Sequence, residues 1–405
     1  MRVEITPGVA TGTVSAPNSK SMAHRMLICA ALAKGKSVIH GVPECDDVTA
    51  TMECLSLLGA RFEYNKDTVT VYGTDVCNAS PVQALYCKES GSTLRFLIPV
   101  CLLCGKNLLL TGAESLFRRP LDAYEELSRE KGFVFSQDGN SVMLRGPITA
   151  GEYRISGSVS SQFISGLLFA LPLLEKDSVV NIIPPVVSRP YIELTLQALK
   201  EFGVDACWTD DHTILVKGGK GFCPTETTVE GDYSGASFYA ALNTLGGNVN
   251  ILGLREDSLQ GDKIYEKHFA LLEQGIPTVH IGDCPDLGPV LFAVASAKYG
   301  GVFNGTSRLR FKESDRASAM AEELKKFGVS VAVHEDSVVV YPVEFHSPSE
   351  PLYGHNDHRI VMSLAVLLTL TGGVIDGAEA ISKSFPHFFE GLSSLGIEVK
   401  YHDNK

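Results

Sequence analysis

The chain has 405 residues, 44% of them hydrophobic and 20% charged, with a net charge of −12 at pH 7. That is the composition of a globular protein of two or three domains, not of a disordered chain. The acidic balance argues against a nucleic-acid or anionic-membrane surface, so any anion chemistry must use locally clustered Lys and Arg. The opening Met-Arg-Val-Glu-Ile-Thr lacks the features of a signal or transit peptide. The most apolar runs, 163–174 and 360–370, are too short to span a bilayer. A cytoplasmic protein is expected.

In chain order, a strand-like start over residues 1–14 runs into Pro17-Asn18-Ser19-Lys20-Ser21-Met22-Ala23-His24-Arg25. An apolar helix is predicted from Met26 to about Ala33. Ser19 and Ser21 stand where a helix N-cap sits, with Lys20 between them and Arg25 one turn on; free N–H groups, hydroxyls and two cations together favour an anion. An ordinary capped helix explains one such stretch equally well, but the pattern recurs.

Each recurrence begins with a polar cluster and an apolar helix, then a short strand, a charged loop and an amphipathic helix ending in glycine, then one or two strands. The closing glycines are Gly59, Gly132, Gly203, Gly275, Gly328 and Gly396, at separations of 73, 71, 72, 53 and 68 residues. A near-constant period signals a repeat architecture, and a glycine just past a helix suits the left-handed conformation. The amphipathic stripes read Val48, Met52, Leu55; Ile192, Leu196, Leu199; and Met320, Leu324, Phe327. The fourth unit reads as short by one strand and the sixth as ending on a single strand, while residues 1–6 are a spare strand at the other end. Two α/β domains of three units follow, one of residues 19–226, the other of residues 227–405 with 1–18. Each should carry three sheets around three buried helices.

The six helix starts are Ser19-Lys20-Ser21, Ser90-Gly91-Ser92-Thr93, Ser158-Val159-Ser160-Ser161-Gln162, Asp232-Tyr233-Ser234-Gly235-Ala236-Ser237, Pro285-Asp286 and Asn356-Asp357-His358-Arg359. Their own Ser and Asp caps could neutralise them. Caps do not explain the adjacent cations Lys20, Arg25, Arg95, Arg119, Arg316, Arg359 and Lys383, which favour a small polyanionic ligand. Two such faces opposed across a hinge would form a cleft. Other chemistries lack support. There is no G-x-x-x-x-G-K-[ST] and no G-x-G-x-x-G. Cys101 and Cys104 lie in an apolar helical run without a second pair, and His355 and His358 have no third ligand at a familiar spacing, so no metal is expected.

These residues also carry a resemblance to the 5-enolpyruvylshikimate-3-phosphate (EPSP) synthase family over essentially the whole chain. Its motifs are Ser19-Lys20-Ser21 with Arg25, Gly157-Ser158-Val159-Ser160-Ser161-Gln162, Ser188-Arg189-Pro190-Tyr191, Glu230-Gly231-Asp232, Lys312-Glu313-Ser314-Asp315-Arg316, Asn356-Asp357-His358-Arg359 and Lys383-Ser384-Phe385-Pro386. The resemblance implies a two-domain inside-out α/β barrel of the enolpyruvyl transferase kind. It implies transfer of the enolpyruvyl group of phosphoenolpyruvate to the 5-hydroxyl of shikimate-3-phosphate, by a monomer without a cofactor, with glyphosate as inhibitor. By resemblance the catalytic residues are Asp286, as base near the 5-hydroxyl, Glu313 at the methyl carbon, Lys20 assisting the leaving phosphate, and His358. Shikimate-3-phosphate falls to Lys20, Ser21, Arg25, Ser160, Ser161, Gln162, Ser188, Asp286 and Lys312. Phosphoenolpyruvate falls to Lys20, Gly91, Arg119, Gln162, Arg316, Arg359 and Lys383. Tyr191 is read either as packing on the carbocycle or as core. Asn18, Glu89, Phe96 and Arg308 depart from the family's usual Gly, Asn, Pro and polar residue. Two rivals remain: a UDP-N-acetylglucosamine enolpyruvyl transferase of the same fold, whose reactive Cys is missing from 114–120, and a non-catalytic phosphometabolite-binding protein.

Overall fold

A computed structural model describes residues 1–402. The chain divides into a continuous unit, Asn18–Glu230, and a discontinuous unit, Met1–Pro17 together with the chain from Gly231 onward. The strand Glu226–Thr228 pairs in parallel with Lys36–His40, which keeps it in the continuous unit and carries that unit to Glu230.

In each unit three helices are buried on nearly every side. They are Lys20–Leu32, Gly91–Cys101 and Ser161–Ala170 in the continuous unit, and Tyr233–Thr244, Gly288–Ala297 and His358–Thr371 in the other. The reason is compositional: a helix apolar all round has no face to give to water. The first of them starts at Lys20, six residues before the predicted Met26, because Ser19 caps it by accepting from the Met22 N–H. Lys20, Ser21 and Arg25 therefore lie inside the helix, not in a loop ahead of it.

The sheets carry the repeat. Each of the six contains one parallel strand pair, and five of them add an antiparallel partner pair to make four strands. The exception is the fourth unit, whose sheet has only Asn248–Leu252 beside Thr11–Ser15. It lacks a whole two-strand hairpin, one strand more than the sequence suggested. The strand-like start over 1–14 holds two strands, Arg2–Ile5, which is the spare strand read at residues 1–6, and Thr11–Ser15, separated at Pro7-Gly8. Arg2–Ile5 enters between Gly373–Asp376 and Val399–His402, antiparallel to both, and so completes the sixth unit. Val3 and Ile5 are fully buried there, each stabilising the insertion by roughly 1.5–3 kcal/mol. The six period-marking glycines all have positive φ, between +76° and +154°. Of the stripe in the third unit, Ile192 and Leu199 are buried, but Leu194 takes the deep place expected for Leu196, which is half-buried.

Candidate active site

In the discontinuous unit three helix starts meet at one arginine. Arg359, second residue of the His358–Thr371 helix, donates through Nη1 to Ser234 Oγ (2.6 Å) and to the Asp286 carbonyl (3.2 Å). Its Nη2 reaches Asp286 Oδ2 at 3.1 Å. Ser234 opens the Tyr233–Thr244 helix, and Asp286 sits in the 3₁₀ turn Pro285–Leu287 that leads into Gly288–Ala297. A second arginine, Arg316, is 1% exposed and heads the helix Arg316–Lys326. Its guanidinium donates to three carboxylates: Nε to Asp357 Oδ2 (2.8 Å), Nη1 to Asp286 Oδ1 (2.8 Å) and Nη2 to Glu313 Oε2 (2.6 Å). Lys312 Nζ lies 3.1 Å from Asp286 Oδ1.

The electrostatics follow from this packing. Burial pushes the Asp286 carboxyl up, but Arg359, Lys312 and Arg316 outweigh it and hold the group well below the usual carboxylate range. Burial disfavours the charged Arg316, and Asp357, Glu313 and Asp286 more than offset that, so its pKa is raised. Lys312 is lowered, chiefly by burial. Asp357 accepts the Arg359 N–H at 2.9 Å as the helix N-cap, and His358 Nδ1 lies 3.8 Å from Asp357 Oδ1. Lys383 ends the 3₁₀ turn Ala378–Lys383 and donates to the carbonyl of Asn356 at 2.6 Å. Asn356 is held at φ +52°.

In the continuous unit a second group forms where Gly91–Cys101 and Ser161–Ala170 begin. Gln162 Oε1 accepts from Arg95 Nη1 (2.8 Å) while its Nε2 donates to Ser92 Oγ (3.0 Å). A Cβ at Gly91 would lie 3.0 Å from Arg119 Nη1, 3.6 Å from Arg95 Nη1 and 3.7 Å from Gln162 Oε1, so this glycine makes room among converging polar groups. Arg119 is buried, and its Nε and Nη2 have no acceptor among the described residues. Two buried guanidinium donors without acceptors are costly, and an anion is the acceptor such a site lacks. Ser160 caps the helix through the Gln162 N–H, and Ser161 is its buried first residue. Ser188 is buried at φ +55°, a left-handed conformation in which a non-glycine residue is strained.

Lys20 Nζ donates to Asp47 Oδ2 at 2.8 Å. Arg25 is buried and gives three of its five N–H groups to the protein, to Thr195 Oγ1 (2.9 Å), the Ser21 carbonyl (2.7 Å) and the Tyr191 carbonyl (2.9 Å). Burial draws its pKa down to about 10. Phe96 is buried, lies under Arg25 at 5.1 Å and meets Phe169 edge-on at 5.3 Å. Arg308 Nη1 donates to the Gly282 carbonyl at 3.2 Å.

The residues expected to act thus fall into two groups, each gathered within its own unit. Sequence reasoning missed Asp47, Thr195, Ser234 and Asp357 as site partners. Asp357 and Ser234 stood inside motifs already singled out, and an acid or hydroxyl at a helix start is the signal that could have found them. Asp47, second residue of the helix Asp46–Leu57, carried that signal too but stood in none of the motifs, and mid-helix Thr195 gave none, because nothing local marks a partner 170 residues away. Of the two histidines weighed as metal ligands, His355 bonds Glu323, and with Glu322 these form a compact group of potential ligand atoms. The Lys326 ammonium, 2.9 Å from Glu323, already supplies a cation there. Cys101 and Cys104 are both buried and free.

The profile of the EPSP synthase (3-phosphoshikimate 1-carboxyvinyltransferase) family matches residues 6–392. A 3-phosphoshikimate 1-carboxyvinyltransferase of Clostridium perfringens (strain ATCC 13124) is 39% identical, over 98% of this chain and 99% of that one. Its counterpart from Clostridioides difficile (strain 630) is 35% identical over 98% of both. In fold, an EPSP synthase from Acinetobacter baumannii superposes with a TM-score of 0.79 at 24% identity, covering 99% of this chain and 100% of that one. The enolpyruvyl transferase NikO from Streptomyces tendae superposes with a TM-score of 0.81 at 15% identity, covering 98% of each chain. Cations clustered beside the helix starts, this fold, and a match along nearly all of its length lead to one conclusion: the chain belongs to the EPSP synthase family.

Proposed function

We propose that this chain transfers the enolpyruvyl group of phosphoenolpyruvate to the 5-hydroxyl of shikimate-3-phosphate, releasing phosphate. The observation that carries the reading is Arg119: a buried guanidinium whose Nε and Nη2 lack acceptors, beside Gly91 and the Gln162 amide. Such a group suits the phosphate or carboxylate of phosphoenolpyruvate, bound in the fork geometry that only Arg offers.

Three proton movements are needed. The 5-hydroxyl loses one as it attacks, the methylene carbon gains one, and the adduct loses one as phosphate leaves. Asp286 and Glu313 are the carboxylates for this work, and both start out bonded to Arg316. Three cations depress the basicity of Asp286 at rest. Anionic substrates that draw Lys312 and Arg359 toward themselves return basicity to Asp286 as they bind. Lys20, with Asp47 as its resting partner, serves the leaving phosphate. Shikimate-3-phosphate is assigned to Lys20, Ser21, Arg25, Ser160, Ser161, Gln162, Ser188, Asp286 and Lys312, and phosphoenolpyruvate to Lys20, Gly91, Arg119, Gln162, Arg316, Arg359 and Lys383. His358 is assigned to support of the acid–base pair.

The assignment requires the residues of both units to act on one pair of substrates, so small-angle scattering should show compaction on adding shikimate-3-phosphate. On the same reading the protein is a cytoplasmic monomer that glyphosate inhibits. No helix among the described residues is long and apolar enough to cross a membrane.

The acceptor is tested by supplying phosphoenolpyruvate with shikimate-3-phosphate or with UDP-N-acetylglucosamine. Phosphate release with the first alone is expected. Release only with the second, or with neither, would overturn the proposal.

A further inference from the structure

The helix Arg316–Lys326 grips the segment Tyr353–Asp357 at two points. At its start, Arg316 Nε donates to Asp357 Oδ2 at 2.8 Å. About two turns later, on the same face, stands Glu323, which belongs to none of the motifs that led to the site. Its carboxylate is fully buried. Oε2 accepts the Tyr353 N–H at 2.9 Å, and Oε1 pairs with His355 Nε2, also at 2.9 Å. The Lys326 ammonium lies 2.9 Å from Oε2 and 3.1 Å from Oε1, so the buried charge is paired.

Between these two points the backbone is strained. His355 and Asn356 have φ of +48° and +52°, a left-handed conformation that two successive non-glycine residues keep only where their surroundings impose it. The Asp357 N–H closes the turn onto the Gly354 carbonyl at 2.8 Å, and the Gly354 N–H donates to the Asp376 carbonyl at 2.8 Å. In this conformation the Asn356 carbonyl accepts from Lys383 Nζ at 2.6 Å. Lys383 is buried, and its ammonium rides on a flexible four-carbon stem, so a fixed acceptor is what holds it in place.

We propose that Glu323 is a positioning residue for phosphoenolpyruvate: by holding Tyr353 and His355 it keeps the Asn356 carbonyl where it seats the Lys383 ammonium. This rests on the assignment of Lys383 to that substrate. Glu323 fixes one end of the strained pair and Arg316, through Asp357, fixes the other. Releasing the Glu323 end lets His355 and Asn356 relax toward negative φ, which turns the Asn356 carbonyl and lets the ammonium wander. Lys383 is assigned to phosphoenolpyruvate and not to shikimate-3-phosphate, so the loss should fall on the first substrate alone.

The test is steady-state kinetics and amine labelling of the full chain and of Glu323→Gln, His355→Ala and His355→Gln. Glu323→Gln leaves Lys326 facing a neutral amide. His355→Ala keeps the Glu323–Lys326 pair intact and so reports on positioning even where the first variant folds poorly. Each should raise the KM for phosphoenolpyruvate by about tenfold and leave that for shikimate-3-phosphate within about twofold. His355→Gln puts an amide N–H within reach of Glu323 and should bring the KM for phosphoenolpyruvate back to within about threefold of the parent. Labelling with an N-hydroxysuccinimide ester, read by mass spectrometry, should modify Lys383 about fivefold faster in Glu323→Gln and His355→Ala, with Lys312 at the parent's rate. An active parent in which His355→Ala leaves both KM values and the labelling of Lys383 unchanged would overturn the role of Glu323 alone. So would variants that raise both KM values together, or that speed Lys312 as much as Lys383, since that is general loosening. A parent inactive with both substrates would overturn the site reading and this inference with it.

Discussion

Replacing Arg316 with Met tests the electrostatic account of the discontinuous unit. The guanidinium is 1% exposed and lies within 2.8 Å of oxygens on Asp286, Glu313 and Asp357. Removing one partner of a buried ion pair costs roughly 3–5 kcal/mol, because the remaining charge is left uncompensated. Asp286 keeps Lys312 and Arg359, and Asp357 keeps the Arg359 N–H and Ser314 Oγ. These remaining partners place the loss near the lower end, about 3 kcal/mol at pH 7. The sign of the pH dependence follows. Asp286 and Asp357 have depressed pKa values in the folded chain, so their contribution is present above the unfolded carboxylate value and is lost as pH falls through the folded one. Removing Arg316 relieves the largest part of that depression for Asp357 and a smaller part for Asp286, where Arg359 and Lys312 act more strongly. The gap between parent and variant should be widest near pH 7 and close as pH falls below about 4. Urea unfolding followed by far-ultraviolet circular dichroism measures it. The single tryptophan, Trp208, lies in the continuous unit, and its fluorescence serves as an internal reference. A loss below about 1 kcal/mol at pH 7, or a gap that does not narrow as pH falls from about 4 toward 2, would refute the reasoning.

Gly91→Ala should raise the KM for phosphoenolpyruvate by about tenfold, or about 1.4 kcal/mol, and leave that for shikimate-3-phosphate nearly unchanged. Its new methyl would sit 3.0 Å from Arg119 Nη1. Ser188→Gly and Ser188→Ala both delete the hydroxyl, but only Gly is at ease at φ +55°, so thermal unfolding should find the Gly chain about 1 kcal/mol more stable. His24 is buried and bonded to Thr51 Oγ1 at 2.7 Å. Burial, then Lys20 and Arg25, lower its pKa well below the usual value. The unfolded chain therefore binds the extra proton first, and stability of the continuous unit should fall as pH drops below about 6.5, by up to about 1.4 kcal/mol per pH unit. Urea titrations followed by Trp208 fluorescence should show that slope, and His24→Gln should flatten it.

The period of the closing glycines and the apolar helices were legible in the sequence because both depend on local chemistry. A glycine follows each of the six amphipathic helices, and an apolar run such as Ile360–Leu368, interrupted only by the buried Ser363, has nowhere to go but inside. The strands were less legible. Nothing local announces that Arg2–Ile5 will complete a sheet with Val399–His402, nearly 400 residues later. Lys20 and Arg25 were visible as cations near a helix start, but their partners Asp47, Thr195 and the Tyr191 carbonyl come from other helices. The meeting of Asp286, Glu313 and Asp357 on Arg316 was not legible at all, since it depends on how three segments pack. The resemblance supplied roles for individual residues; the geometry shows which of them restrain each other at rest.

Transfer of the enolpyruvyl group moves carbon and leaves phosphate behind, so the reaction must break the C–O bond of phosphoenolpyruvate and not its P–O bond. Phosphoenolpyruvate carrying ¹⁸O in the oxygen that bridges carbon and phosphorus tests this directly. With shikimate-3-phosphate present, the account predicts phosphate release that depends on both substrates, with all of the label in the phosphate. Label retained in the organic product, or no phosphate released, would contradict it.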